Sequence, residues 1–286
     1  MADTNPATGT TAVATPAPQK KRVNPFIAAF LPNQAISVTT FRAIIFVQVV
    51  IAVAIWIASP FELLPKPGDV IKAFGDLWNH QGLAEELLSS FMVVVKALLI
   101  TVVISLLLSY LTVMPFFRSL AQAVSKMRYL SLVGFTFPLT VMGLQGDQQK
   151  TYLMVFGMTV FFVTSMASVV ASIPKESFDH ARTLRMKEWR VVWEVVIIGT
   201  ADQAFEVMRQ NAAIGWLMIT MVEGIYRSGG GVGVMLLNQQ KYLRMDAIYA
   251  VQITILIVAL LQDYVIGVIR RLLCPYADLT LERQGA

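Results

Sequence analysis

The chain has 286 residues, 56% of them hydrophobic, and a formal net charge of +5. Soluble domains are about 45–50% apolar, so this composition indicates a polytopic membrane protein rather than a soluble one. The positive charge does not indicate nucleic-acid binding, because lysine and arginine are expected in the cytoplasmic loops of membrane proteins. Cys274 is the one cysteine, which excludes an internal disulfide, and the distant His80 and His180 argue against a metal cluster.

The two ends of the chain are predicted to be tails. Residues 1–24 are rich in alanine, threonine and proline and hold no apolar run, which predicts a disordered cytoplasmic segment and not a signal peptide. Residues 277–286 predict a second, short cytoplasmic tail. The part between them, residues 25–276, is expected to form the transmembrane domain.

Apolar runs in this domain predict an all-α fold with six transmembrane helices. The third run is short and contains Pro138, which is tolerated where neighbouring helices cover the freed backbone groups. Basic residues concentrate in the loops that six spans would place on the side of the N-terminus, so the positive-inside rule predicts that both termini are cytoplasmic. The six spans are expected at residues 43–58, 87–113, 129–144, 151–171, 207–226 and 247–269.

Residues 173–206, between the fourth and fifth spans, are strongly charged. Charges of this density are too costly inside a bilayer, so the segment is expected in the cytoplasm. Phe178, Ala181, Leu184 and Trp189 recur at helical spacing among basic residues. The pattern predicts an amphipathic helix that lies against another protein or the membrane surface.

Lys96 and Glu223 are the ionisable residues deepest in the predicted spans, and Arg209 lies near the cytoplasmic start of the fifth. Charges at such positions are functional candidates. The alternatives are snorkelling or pairing with an acid for Lys96, snorkelling for Arg209, contact with water for Glu223, and an interface anchor for Trp216. The glycine-rich run 229–233 lacks the Lys-Ser/Thr of a phosphate loop and predicts a tight turn.

The charged segment resembles a known cytoplasmic signature: Glu-Ala-Ala, three residues, Gly, nine residues and Ile-x-Leu-Pro. Asp179, His180 and Ala181 stand at the triplet, Arg185 at the Gly and Ile198 at the Pro. The signature belongs to inner-membrane permeases of binding-protein-dependent ABC importers. Without a gap, Arg209, Trp216 and Glu223 then fall where the nitrate, taurine and aliphatic-sulfonate branch has Arg, Trp and Glu. The similarity extends over about residues 41–276.

This resemblance implies a type I importer permease of six helices in a bacterial inner membrane, with no catalytic residue, cofactor or metal of its own. Two permease subunits, identical or different, would form the path for a small solute such as nitrate, taurine or a sulfonate. Two cytoplasmic ATPase subunits would dock on the segment, and a periplasmic or lipid-anchored binding protein would deliver the solute. The residues implied in coupling are Asp179, Ala181, Leu184, Arg185 and Trp189, and those implied in the path or the subunit interface are Arg209, Trp216 and Glu223.

The chain departs from the signature at Arg185 and Ile198, and Asp202 stands at a further proline of the family. A long cation in place of glycine needs an acidic partner, either on the ATPase or on a neighbouring acid. Of the neighbouring acids, Glu188, three residues on, is better placed than Asp179, six residues before. The lost glycine and proline favour a rival function, a degenerate permease-like scaffold without transport. The retained residues of the fifth span favour transport. An intramembrane enzyme would need polar groups paired at matched depth, which the sequence does not suggest.

Overall fold

The computed structural model describes residues 37–59, 61 and 64–275. The tails predicted at 1–24 and 277–286 lie outside these residues. Every regular element of the described part is helical, and no strand occurs in it. The prediction of an all-α protein is therefore confirmed.

The chain divides into two compact units, with the boundary after residue 60. The described part of the first unit is one helix, α1 (Val38–Ala58). The hydroxyl of Ser37 accepts a hydrogen bond from the backbone N–H of Thr40 (3.2 Å) and so caps the helix start. The side chains of α1 are apolar nearly throughout, as is expected of a helix that faces lipid or another protein.

The second unit holds ten α-helices in its described residues. Short 3₁₀ turns lie at Met127–Tyr129 and Arg227–Gly229, and a π-helix lies at Val192–Ile198. The α-helices are α2 (Pro67–His80), α3 (Leu83–Leu111), α4 (Pro115–Lys126), α5 (Leu132–Val141), α6 (Asp147–Ala171), α7 (Lys175–Thr183), α8 (Glu188–Val191), α9 (Ala201–Ile225), α10 (Val232–Lys241) and α11 (Met245–Leu273).

The core of the second unit lies between α3, α6 and α9, with α11 packed on α9. Small residues let these helices approach closely, as is common in membrane bundles. Gly215 of α9 lies against Met158 of α6 and Val94 of α3, where a Cβ would be 3.2 Å from the Met158 methyl carbon. The buried face of α3 is likewise built from small residues, with Ala97, Thr101, Ser105 and Ser109 at intervals of four.

Within the described residues, four helices are long and apolar enough to cross a membrane: Thr39–Ala58, Leu83–Leu111, Asp147–Ala171 and Met245–Leu273. They correspond to the first, second, fourth and sixth predicted spans. The other two predicted spans are not confirmed. At the third, α5 has ten residues, or about 15 Å, roughly half of a hydrocarbon core. At the fifth, α9 is long enough, but polar residues such as Arg209 and Glu223 lower its hydropathy.

Candidate functional site

The segment predicted as one amphipathic helix folds as two short helices. Helix α7 ends at Thr183, and α8 begins at Glu188 and continues as the π-helix Val192–Ile198. A four-residue turn, Leu184 to Lys187, separates α7 from α8. The expectation of a continuous helix through Trp189 is therefore wrong. π-helical turns are uncommon and frequently occur at functional sites.

The chain leaves α7 at Arg185, which has a left-handed backbone with φ of 55°. The N–H of Arg185 donates to the carbonyl of Arg182 (2.9 Å), and that of Met186 donates to Ala181 (3.4 Å). These two bonds form a Schellman cap, whose left-handed position is usually glycine. This geometry explains why the helix stops here and why a glycine would suit the position of Arg185.

We predict that Arg185→Gly stabilises the folded chain by about 1 kcal/mol, because glycine adopts a left-handed backbone without Cβ strain. Arg185→Ala removes the same side chain but keeps the strain, and so serves as the matched control. The midpoint of thermal unfolding in detergent should rise for the glycine variant only. Equal midpoints for both variants would contradict the strain.

The five residues implied in coupling differ in exposure. Ala181 is buried, with 6% of its surface exposed, and holds α7 against the rest of the loop. Leu184 and Trp189 are 59% and 72% exposed, and Asp179 and Arg185 are exposed as well. An exposed leucine and tryptophan among charged side chains are typical of a contact surface for another protein.

Arg182 links the two short helices. Its guanidinium lies 3.1 Å from the Glu188 carboxylate and 3.4 Å from that of Asp179. The hydrogen bond to the Glu188 carboxylate raises the pKa of Arg182 above its ordinary value. Glu188 was the better local candidate for a partner of Arg185, but it pairs with Arg182 instead, and a partner of Arg185 on the ATPase stays a prediction. The left-handed turn breaks the helical spacing on which that expectation rested.

A cavity of about 480 Å³ lies beside this loop, where α7 meets the π-helix and the start of α9. Its wall includes Pro174, His180, Leu184, Glu194 and Gln203. The exposed Leu184 lies at its margin. The loop therefore has exposed apolar side chains, Leu184 and Trp189, and a cavity beside them.

Asp202, which stands at a proline position of the family, anchors the start of α9. Both of its carboxylate oxygens accept hydrogen bonds from the Arg270 guanidinium, at 2.6 and 2.9 Å. Arg270 also donates to Glu206 (3.0 Å). A bidentate pair of this kind fixes geometry as well as charge. It ties the end of α9 that follows the loop to the end of α11.

Arg209 and Trp216 lie about two and about four turns into α9. Arg209 is half-exposed and pairs with Asp263 of α11 (3.0 Å) and with Glu206 (3.5 Å). Trp216 is 4% exposed, and its indole N–H donates to the side-chain carbonyl of Gln262 (2.8 Å). In the single chain, both side chains thus connect α9 to α11. Their role in a path or a subunit interface stays a prediction.

Glu223 is fully buried at the other end of α9. It accepts hydrogen bonds from the Ser90 hydroxyl of α3 (2.6 Å) and from the backbone N–H of Gly233 (2.8 Å). Ser90 in turn accepts from the N–H of Val232 (3.0 Å), and the N–H of Gly231 donates to the Glu86 carboxylate. Two carboxylates and one hydroxyl from α3 and α9 therefore hold the glycine-rich run at the start of α10.

Lys150 of α6 completes this buried network. Its ammonium donates to the carbonyl of Gly230 (2.9 Å), lies 3.4 Å from the Asp147 carboxylate, and is fully buried. The sequence alone predicted no role for Lys150, Glu86 or Ser90. The one local signal was the spacing of Asp147 and Lys150, because residues three apart meet on a helix. No local sequence pattern connects Lys150 to the carbonyl of Gly230, which lies 80 residues further along the chain.

Lys96 is exposed on α3. It therefore neither pairs with Glu223 nor belongs to the buried network. Metal binding has no support in the described part of the chain, where His, Cys, Asp and Glu form no group that could hold an ion.

Comparison with known proteins gives one partial similarity, and no family model matches the chain. The similar protein is from Methanocaldococcus jannaschii, and its name assigns it to the ABC transporter permeases. The identity is 24% over 118 residues, which cover 41% of this chain and 44% of that protein. The matched part is thus less than half of either protein. Together with the four apolar helices, this distant similarity fits a permease-like, multi-pass membrane protein and suggests a transporter subunit rather than an enzyme.

Proposed function

We propose that the chain is the permease subunit of an ABC importer of the nitrate, taurine and sulfonate type. It forms, with a second permease subunit, the path of a small solute through a bacterial inner membrane, with its termini in the cytoplasm. Two ATPase subunits bind its loop, and a periplasmic or lipid-anchored binding protein delivers the solute. The distant similarity to a permease and the apolar helices support this proposal.

The observation that carries the proposal is the exposed surface of the loop between α6 and α9. Leu184 and Trp189 stand out from short helices that Arg182 holds together. A large apolar side chain exposed on a well-ordered support is the usual anchor of a protein interface. We assign this surface, with the exposed Asp179 and Arg185 and with Ala181 buried beneath it, to the ATPase.

The loop is connected to the helices in a way that suits coupling. The π-helix runs into α9, and Asp202 at the start of α9 is bound to Arg270 of α11. A displacement of the loop by the ATPase would therefore move α9 and α11 together. Helix α9 runs from the loop to the buried network that holds the glycine-rich run. It carries Arg209, Trp216 and Glu223 along its length. We assign these three residues to the translocation path or to the interface with the second permease subunit.

The second candidate function is a permease-like scaffold that does not transport. The observation in its favour is Arg185, whose backbone is strained and whose long cationic side chain stands where the resembled signature has glycine. Such a residue alters the surface that an ATPase with a standard groove would meet.

Co-purification from the membranes of the native host tests the proposed function. The tagged chain should retain an ATPase subunit that hydrolyses ATP, together with a second permease subunit, and vesicles containing the complex should take up a solute when ATP is supplied. A complex that holds the ATPase but takes up neither nitrate nor taurine nor methanesulfonate would favour the scaffold. A chain that retains no ATPase in several mild detergents would contradict the proposal.

A further inference from the structure

Lys96 lies near the middle of α3, far from either end. It is the one charged residue between Glu86 and Arg118 in the sequence. Helical geometry places it about 20 Å from Leu83 and about 22 Å from Leu111, within the roughly 30 Å core that such a helix crosses. Because α3 is about 12 Å longer than this core, Lys96 lies at least about 8 Å inside it, and snorkelling would need a fully extended side chain.

The face of α3 that carries Lys96 is otherwise apolar and is exposed within the second unit. Exposed residues follow one another at steps of three and four, which is the pattern of a single helix face. A lipid-facing lysine in such a stripe would be disfavoured, because a charge at the centre of a bilayer has a high free energy. The apolar members of the stripe are Leu88, Met92, Leu99, Val103 and Leu107.

Lys96 has no acidic partner in the described part of the chain. A second copy of the chain would not supply one either, because the carboxylates deep in its described helices are already engaged. Glu223 binds Ser90 and Gly233, while Glu206 and Asp263 pair with Arg209. In a pair of identical subunits, the counter-charge of Lys96 must therefore come from outside the permease.

We infer that Lys96 lines a water-filled path between this chain and a second permease subunit, and binds an anionic solute at mid-depth. The inference rests on the proposed function and adds to it a residue that selects for charge. A lysine ammonium is a point charge with three donors, which suits a small oxyanion without fixing its orientation. One such contact holds the anion weakly enough for it to leave, as conduction through a path requires.

Cysteine labelling in intact membranes tests the environment of the stripe. The background variant is Cys274→Ser, and Leu99→Cys then reports on the stripe one turn from Lys96. We expect this cysteine to react with both an anionic and a cationic membrane-impermeant thiosulfonate. The matched control is Leu260→Cys, exposed near the middle of α11, which should react only with a lipid-soluble maleimide. Labelling of the position-99 cysteine by the maleimide alone, or by no reagent, would overturn the water-filled path.

The second arm tests the charge. The anionic reagent carries a sulfonate and so serves as the anion itself. The measured quantity is the labelling rate of the anionic reagent at position 99 divided by that of the cationic reagent. This ratio should fall about tenfold when Lys96→Met is added, as expected for loss of one charge-assisted contact. Lys96→Arg should preserve the ratio. An unchanged ratio in Lys96→Met would overturn the anion site. Neither arm requires an ATPase, so absence of a co-purifying ATPase would count against the proposed function alone.

Discussion

Gly231→Ala is expected to destabilise the folded chain by about 3–5 kcal/mol. Gly231 has a φ of 109°, a conformation that alanine rarely adopts. A Cβ at this position would also overlap the carboxyl group of Glu223. That carboxyl group cannot move aside freely, because it is buried and held by Ser90 and by the N–H of Gly233. Backbone strain and steric overlap therefore act together.

The measurement is the midpoint of thermal unfolding of the purified chain in detergent. Gly75→Ala is the matched control, because Gly75 lies in α2 and no atom lies within 4 Å of the place that an alanine Cβ would occupy. The control should be neutral or slightly stabilising, since alanine favours a helix over glycine by about 1 kcal/mol. A Gly231→Ala variant that unfolds at the wild-type temperature would show that the buried network does not constrain the run.

Trp189→Ala is expected to weaken binding of the ATPase about 30-fold, or by about 2 kcal/mol, which is typical of an aromatic anchor at an interface. The side chain is 72% exposed and makes no hydrogen bond in the described part of the chain. Its removal should therefore leave the fold intact. ATP hydrolysis by the complex at limiting ATPase concentration should fall in proportion.

Tyr242→Ala serves as the control, because Tyr242 is equally exposed but lies beyond the far end of α9, next to α10. The Tyr242→Ala chain should bind the ATPase as the wild type does. Binding by microscale thermophoresis, with unfolding midpoints recorded for both variants, separates docking from stability. Equal affinities for the Trp189→Ala chain and the wild type would refute the assigned contact.

The lengths of the apolar runs predicted the four helices that are long and apolar enough to cross a membrane, because such helices depend on local composition alone. The same criterion leaves the third span unconfirmed, because α5 ends at Val141 and Gly143 takes a positive φ of 78°. It left the fifth unresolved, because the polar side chains of α9 find partners on other helices that the sequence does not identify. Arg209 with Asp263 and Glu223 with Ser90 are such pairs.

The coupling loop shows the same limit at shorter range. The spacing of the apolar residues correctly predicted helical structure around Ala181 and Trp189, but it carries no information on the left-handed turn at Arg185. That turn brings Glu188 to Arg182, six residues away, instead of to Arg185. A backbone bend of one residue thus changed the ion pair and left Arg185 exposed. The buried Lys150 was missed for a related reason, since its partner carbonyl belongs to a distant loop.

The central claim is that the loop between α6 and α9 binds an ATPase, and a photo-cross-link tests it most directly. A benzophenone amino acid at Leu184, on the exposed turn after α7, should form an ATP-sensitive adduct with an ATPase subunit in native membranes. The same amino acid at Tyr242 should form no adduct with that subunit. Adducts of equal yield at both positions, or none with an ATPase at Leu184, would contradict the claim.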